Sequence, residues 1–386
     1  MDTVRVGIIG IGNIGSAHAK CIADNKVNGL TLSALCDLKP EKNSLYPDIP
    51  FFNDSDSLIN SGLVDAVIVS TPHKFHIDIA EKALLAGLHV LVEKPVDISI
   101  SKAKQINRIA EKSDKVFAIM FNQRTNPLFK RAREIVKSGA LGELKRSVWI
   151  ITNWYRTQHY YDSGEWRATW SGEGGGVLLN QAPHQLDLWQ WICGMPTELY
   201  AVCDIAKYHN IEVEDDVTIT ARYENRATGV FITSTGEYPG TNRLEISGTK
   251  GKIVLEGGAL KWWRLLSDER DVCFASDSNS PKIETEYEEI VPDCPETAHR
   301  GILQNFANAI LHGETLISPG TEGINELMIS NAAYLSAEKK RTVTLPIDAT
   351  EFDRFLIEKI KNSSKKNDCV CDSEKDEYSP RWRVKW

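Results

Sequence analysis

The chain has 386 residues, of which 42% are hydrophobic and 25% charged, with a formal net charge of -8. That length exceeds what one core usually serves, so two domains are expected. The acidic balance disfavours nucleic-acid and anionic-membrane partners, and no apolar run is long enough to span a bilayer.

The first third alternates apolar strands with amphipathic helices. Strands are predicted at 4–9, 30–36, 64–69, 89–92 and 116–121, with helices over about 13–25, 76–86 and 101–113. Short β-rich runs separated by helices predict a parallel sheet covered on both faces. A helix near 127–138 closes at Gly139, and the pattern then changes. The stretch 143–157 reads as an aromatic strand and 181–193 as a helix. Alternating runs at 217–223, 229–235, 243–247 and 252–256 predict a largely antiparallel sheet with one wet face. Helices return near 297–312, 323–337 and 349–361. The fold class expected is therefore an α/β Rossmann domain over 1–123, followed by an α+β domain over 124–361 with a large, mostly antiparallel open sheet. A polar tail over 362–386 ends in two tryptophans, Trp382 and Trp386, suited to docking on this subunit or a neighbour.

Glycines at 7, 10, 12 and 15 interrupt the first apolar run, unlike a secretory leader, so a cytoplasmic location is expected. The eight cysteines are scattered, as reduced thiols are. Cys369-Val370-Cys371 is the one close pair and lacks a second, so no metal site is expected.

Gly10-Ile11-Gly12-Asn13-Ile14-Gly15 follows a strand and opens a helix, which is the context that makes this spacing a dinucleotide fingerprint. Gly10 permits the tight turn, Gly12 the approach of a pyrophosphate, and Gly15 close helix–strand packing. The N–H groups at the helix start, at Asn13 and Ile14, suit the phosphates. Asp37 ends the second strand, where a carboxylate accepts from a ribose diol and repels a 2′-phosphate, favouring NAD over NADP. Ser70-Thr71-Pro72-His73 and Glu93-Lys94-Pro95 fall at the C-terminal ends of the third and fourth strands, the ligand edge of such sheets.

Hydride chemistry at a secondary alcohol needs a proton acceptor and a group that stabilises charge on the oxygen. In Gly174-Gly175-Gly176-Val177-Leu178-Leu179-Asn180-Gln181-Ala182-Pro183-His184, Asn180 is predicted as the N-cap of a helix with His184 one turn in, both facing a cleft. His184 is the candidate base, since imidazole titrates near neutral pH. An aromatic and arginine cluster holds Trp149, Trp154, Tyr155, Arg156, His159, Tyr160, Tyr161, Trp166, Arg167 and Trp170. Such groups suit either a sugar ring or an aromatic core seam.

Together, the Gly10–Gly15 fingerprint, Thr71-Pro72 with His76, Glu93-Lys94-Pro95, and Gly174–Gly176 leading to His184 resemble the glucose-fructose oxidoreductase / inositol dehydrogenase (Gfo/Idh/MocA) family over about residues 3–360. The resemblance implies an NAD cofactor, dimers or tetramers formed through the second domain's sheet, and hydroxyl oxidation or reduction on sugars, inositols or their relatives. It implies that Lys94 contacts the reacting hydroxyl and the nicotinamide ribose, across a Lys94-Pro95 link that is often cis, and that His184 is the catalytic histidine. Asn180 stands where many members have an aspartate, and an amide cannot take a proton. The resemblance also brings His76, Asn122 and Arg124 to the cofactor. Trp154-Tyr155-Arg156 and Trp166-Arg167 are similar to elements of members acting on glycosides, several of which oxidise the pyranose C3 hydroxyl.

The expected catalytic set is thus Lys94, His184 and Asn180, with Asp187 and Arg167 as secondary candidates. Tyr155, Arg156 and Trp166 join the set as substrate contacts. The cofactor set comprises Gly10, Gly12, Asn13, Ile14, Gly15, Asp37, Ser70, Thr71, His73, His76, Glu93, Lys94, Asn122, Arg124, Trp166 and Arg167. Three other readings stay open: an inositol or free-sugar dehydrogenase, an NAD-retaining glycosidase-like enzyme using transient C3 oxidation, and a non-catalytic NAD-binding regulator.

Overall fold

A computed structural model describes residues 2–364 together with Tyr378 and Val384. The calls on Cys369, Cys371, Trp382 and Trp386 lie outside the described residues.

Six strands build the first sheet: β1 Val4–Ile9, β2 Leu30–Cys36, β3 Phe51–Phe52, β4 Ala66–Val69, β5 His89–Val92 and β6 Phe117–Ile119. All pair in parallel in the order β3-β2-β1-β4-β5-β6. The order reverses direction between β1 and β4, and a ligand crevice opens outside the strand ends at such a point. Every residue of β4 is buried, as helices on both faces require.

The second sheet has nine strands: β7 Leu144–Ile151, β8 Glu198–Ile205, β9 Glu214–Arg222, β10 Thr228–Ser234, β11 Asn242–Gly248, β12 Gly251–Glu256, β13 Ala259–Leu265, β14 Thr285–Ile290 and β15 Val343–Thr344. Their order is β14-β13-β12-β11-β7-β10-β9-β8-β15. All neighbours are antiparallel except β7 and β10. One face packs on the helices Pro183–Cys193 and Gly323–Lys339 through Trp149, Trp189, Ile219 and Phe231.

The alternating runs come out within a few residues of expectation, but β8, β13 and β14 carry no clear sequence signal. In β8, Leu199 and Ala201 point inward while Tyr200, Val202 and Ile205 lie exposed, so apolar residues on both faces erase the period-2 contrast. The aromatic strand ends at Ile151 rather than 157. Beyond it the chain leaves the sheet and crosses the molecule through the short helix Gln158–Asp162.

The two domains share a continuous core. The helix Ala298–His312 buries Ile302, Leu303, Phe306 and Ala307 against Val4, Val6 and Ile8 of the first sheet. The chain then adds Ser318 to β6, its carbonyl accepting from the Ile119 N–H at 3.0 Å. Residues well beyond 123 therefore complete the Rossmann unit. No helix among the described residues is long and apolar enough to cross a membrane.

Candidate active site

The glycine loop has the geometry its spacing predicts. Gly10 sits at φ +96°, and a Cβ there would lie 2.7 Å from the Ser70 carbonyl. A Cβ on Gly15 would lie 1.9 Å from the Gly10 carbonyl. A Cβ on Gly12 would meet nothing within 4 Å, so open space lies over this loop. The helix starts at Asn13, followed by Ile14, directly behind Gly12. Asp37 Oδ2 accepts from the Ile11 N–H at 2.7 Å, which ties the loop to the end of β2. Ser70 Oγ donates to the Gly10 carbonyl at 2.8 Å.

Along the same edge, Thr71 Oγ1 and both amide atoms of Asn122 are buried without partners among the described residues. They follow β4 and β6, where a dinucleotide would lie. Unpartnered buried polar atoms are costly unless a ligand pairs them. With the open glycine loop, they fit NAD.

Three cofactor candidates have other work. His76 lies with one ring nitrogen 2.8 Å from the Pro95 carbonyl and the other 2.7 Å from the Thr71 backbone carbonyl, bracing both loops from behind. His73 meets the Glu173 carbonyl at 3.3 Å and the edge of Trp166 at 5.5 Å. Arg124 is fully buried and clamps Asp187 with two hydrogen bonds of 2.8 and 2.6 Å, and Glu322 with a third of 2.5 Å. Arg124 and Asp187 thus neutralise each other instead of reaching a ligand.

Lys94 follows β5 across a cis peptide bond to Pro95. Its neighbour Glu93 pairs with His18 at 2.8 Å, and His18 also meets the hydroxyl of Tyr378 at 2.9 Å. Lys94 Nζ donates to the Asn180 carbonyl at 2.8 Å. Burial lowers the Lys94 pKa, and Glu93, Glu326 and Glu173 oppose that shift. Glu326 lies fully buried on the helix Gly323–Lys339 with both carboxyl oxygens unpartnered among the described residues. Burial and the charge of Asp187 push its carboxyl well above the usual range.

The predicted cap at Asn180 is not formed. The helix begins at Pro183 with Ala182 in the cap position, so His184 is its second residue. Asn180 instead belongs to a preceding turn, its N–H donating to Gly176 at 3.0 Å. Proline favours the first helical position because its missing N–H has no role there, and it shifts the helix start forward. The Asn180 side-chain amide faces the Tyr160 hydroxyl at 3.3 Å and the Glu173 carboxylate. His184 is buried against the edge of Phe121, and its Nδ1 has no partner among the described residues. Burial and the nearby Lys94 drive its pKa well below the usual histidine value, so the imidazole stays neutral.

The aromatic cluster divides. Trp149, Trp154, Tyr161 and Trp170 are core. Arg167 lies over the rings of Tyr160 and Trp166, at 4.5 and 4.8 Å, and donates to the Tyr160 hydroxyl at 2.8 Å. Arg156 covers Tyr160 from 4.9 Å, while Tyr155 is exposed against the edge of Tyr238. Lys94, Asn180, Tyr160, Arg167 and Trp166 therefore form one linked group.

Glu173, Glu214 and Glu326 carry no motif, and reading the sequence did not single them out. One signal existed: Glu173 is a lone charge inside Gly172–Gly176. Glu214 accepts from the Gly176 and Leu178 N–H groups at 2.9 and 3.0 Å and from the Tyr334 hydroxyl at 2.7 Å, anchoring the loop that carries Asn180.

Fold and site together define a Rossmann-type, dinucleotide-dependent oxidoreductase. Residues 4–121 match the profile described as an oxidoreductase family with an NAD-binding Rossmann fold, and residues 129–254 match the GFO/IDH/MocA C-terminal domain. The chain belongs to the GFO/IDH/MocA family and is an NAD-dependent oxidoreductase. It is similar to the myo-inositol 2-dehydrogenase of Thermotoga maritima, at 26% identity over 352 residues, 89% of this chain and 98% of that one. It is also similar to the inositol 2-dehydrogenase of Rhizobium meliloti, at 23% identity, covering 89% and 99%. Among solved structures, the WlbA dehydrogenase of Bordetella pertussis in complex with NADH and UDP-GlcNAcA superimposes with a TM-score of 0.74 at 25% identity, covering 90% of this chain and all of that one. Levoglucosan dehydrogenase in complex with NADH shares the fold, with a TM-score of 0.73 at 22% identity and the same coverage.

Proposed function

We propose that this enzyme oxidises a secondary ring hydroxyl of a sugar, glycoside or cyclic polyol, with the pyranose C3 hydroxyl as the preferred position. The observation that carries this reading is the proximity of Lys94, held on the Asn180 carbonyl, to the neutral, buried His184, whose pKa it helps to depress.

NAD, when bound, supplies the acceptor for the hydrogen and electron pair of the carbinol carbon. Gly10, Gly12, Gly15 and the helix start at Asn13 and Ile14 hold its phosphates, and Asp37 holds the adenosine ribose. Ser70, Thr71, His73 and Asn122 line the same edge. His184 takes the hydroxyl proton, which its depressed pKa leaves it free to do at neutral pH. An ammonium has three donors, and Lys94 spends one on the Asn180 carbonyl. The others are free to hold the reacting oxygen and stabilise charge developing on it. Trp166, Arg167, Tyr155 and Arg156 form a wall of aromatic faces and donors suited to a ring with hydroxyls.

Oxidation of an inositol ring is the second reading, favoured by the likeness to inositol dehydrogenases along nearly their full length. The deciding experiment incubates glycosides, free sugars and inositols with NAD and reads both NADH absorbance and product mass. A ketone two mass units below a glycoside, formed with NADH, supports the first reading. Cleavage without net NADH supports a glycosidase-like route. Lys94→Ala and His184→Ala are expected to lose about 100-fold or more in turnover while still binding NADH. Wild-type turnover in both variants would remove the proposed site.

The second sheet is also proposed as the subunit interface. Its open face presents Val148 and Ile150 of β7 beside Val230 and Ile232 of β10, and Thr218 and Thr220 of β9 separate these from exposed Tyr200 and Val202 of β8. Such a partly apolar face suits a homodimer or homotetramer.

A further inference from the structure

The side chain of Asn180 is half-buried, and its amide nitrogen faces two oxygens: the Tyr160 hydroxyl and a carboxylate oxygen of Glu173. No described residue donates to its side-chain oxygen, Oδ1. An ionised carboxylate is acceptor-only, so it forces the NH2 end of the amide inward and leaves Oδ1 turned the other way. A protonated carboxyl would donate to Oδ1 and allow the amide to reverse. Glu173 is itself rigidly held, with Oε2 accepting from the Ala168 N–H at 2.6 Å, and only 1% of the residue is exposed.

We propose that Glu173 is a positioning residue: its carboxylate fixes the Asn180 amide so that Oδ1 is presented as an acceptor to a second hydroxyl of the substrate, next to the reacting one. This inference rests on the reading of Lys94, His184 and Asn180 given above. It restricts the substrate class to rings with vicinal hydroxyls, because a site that aims an acceptor at a substrate hydroxyl disfavours analogues that cannot donate to it.

The titratable groups near Glu173 come from three directions. Arg167, with Tyr160 and Tyr161, comes from the segment 155–170, Lys94 from the loop after β5, and His73, which meets the Glu173 backbone carbonyl, from the loop after β4. Burial raises the Glu173 carboxyl to about 7, opposed chiefly by Arg167. The orienting form is the ionised one, so the device works above that value and fails below it.

The test needs no substrate in its first arm. Selective labelling of asparagine side chains with nitrogen-15, with Asn180→Asp to assign the signal, follows the Asn180 NH2 group from pH 5 to 9. The expected result is a shift with a midpoint near 7 that vanishes in Glu173→Gln. An Asn180 signal that does not titrate, or that titrates equally in Glu173→Gln, overturns the inference. The second arm measures kcat/KM against pH for the best substrate of the panel. Wild type is expected to fall about tenfold per pH unit below the midpoint. Glu173→Gln, which still accepts from the amide, keeps activity within about tenfold and loses that acid limb, whereas Glu173→Leu loses 100-fold or more. Equal losses in the two variants, with the acid limb retained in Glu173→Gln, also overturn it. His184→Ala, run alongside, separates the failures. Full turnover in that variant would remove the site itself, whereas its loss combined with a non-titrating Asn180 would remove only the role of Glu173.

Discussion

Replacing Arg124 with methionine tests how the helix carrying His184 is held. The Arg124 and Asp187 side chains are 0% and 1% exposed, and the two hydrogen bonds between them are parallel. Methionine roughly preserves the stem but leaves Asp187 with the Gln190 amide, at 3.0 Å, as its remaining side-chain donor. Breaking a buried pair from one side costs about 3–5 kcal/mol, because the remaining charge is uncompensated. The carboxyl already sits above its ordinary value through burial, with Arg124 opposing the shift. Losing Arg124 raises it further. A carboxyl whose folded pKa is raised holds its proton where the unfolded chain has released it. Relative to wild type, the loss of stability therefore opens only above the pH at which the wild-type carboxyl ionises, and grows from there by about 1.4 kcal/mol per pH unit. Urea unfolding of the cofactor-free protein at pH 5 and pH 8 measures this. The expected destabilisation is larger at pH 8 than at pH 5, and adding Asp187→Asn should flatten the difference. A pH-independent loss below about 1 kcal/mol would refute the buried-charge argument.

Two further predictions use different observations. Gly12→Ala adds a methyl where nothing lies within 4 Å, at an ordinary φ of -80°, so the cofactor-free protein should keep its stability within about 0.5 kcal/mol. NADH affinity, read by fluorescence titration, should fall about tenfold or more as the methyl blocks the pyrophosphate's approach. Gly15→Ala drives a methyl into the Gly10 carbonyl and should cost about 1–3 kcal/mol in the same cofactor-free unfolding, so equal stability in the two variants would contradict the assigned roles. Ile150→Glu places a charge on the open face of the second sheet and should shift light-scattering mass towards the monomer while circular dichroism is unchanged; an unchanged mass would move the interface elsewhere.

The sequence by itself determined the parallel sheet, the glycine loop and the place of Lys94 at the end of β5. These rest largely on short-range rules: β-rich runs between amphipathic helices, and a glycine at 15 whose side chain would strike the Gly10 carbonyl five residues back. Arg124, Asn180 and Glu173 were decided only by the tertiary structure. Nothing local told Arg124 to spend its charge on Asp187 rather than a ligand, since that partner arrives from a helix 63 residues further on. Asn180 reads as a helix cap until Pro183 claims the first turn and Glu173 is folded back against its amide. A buried polar group takes whichever partner the packed chain brings within reach, and that choice depends on three-dimensional proximity, which periodicity and spacing do not encode.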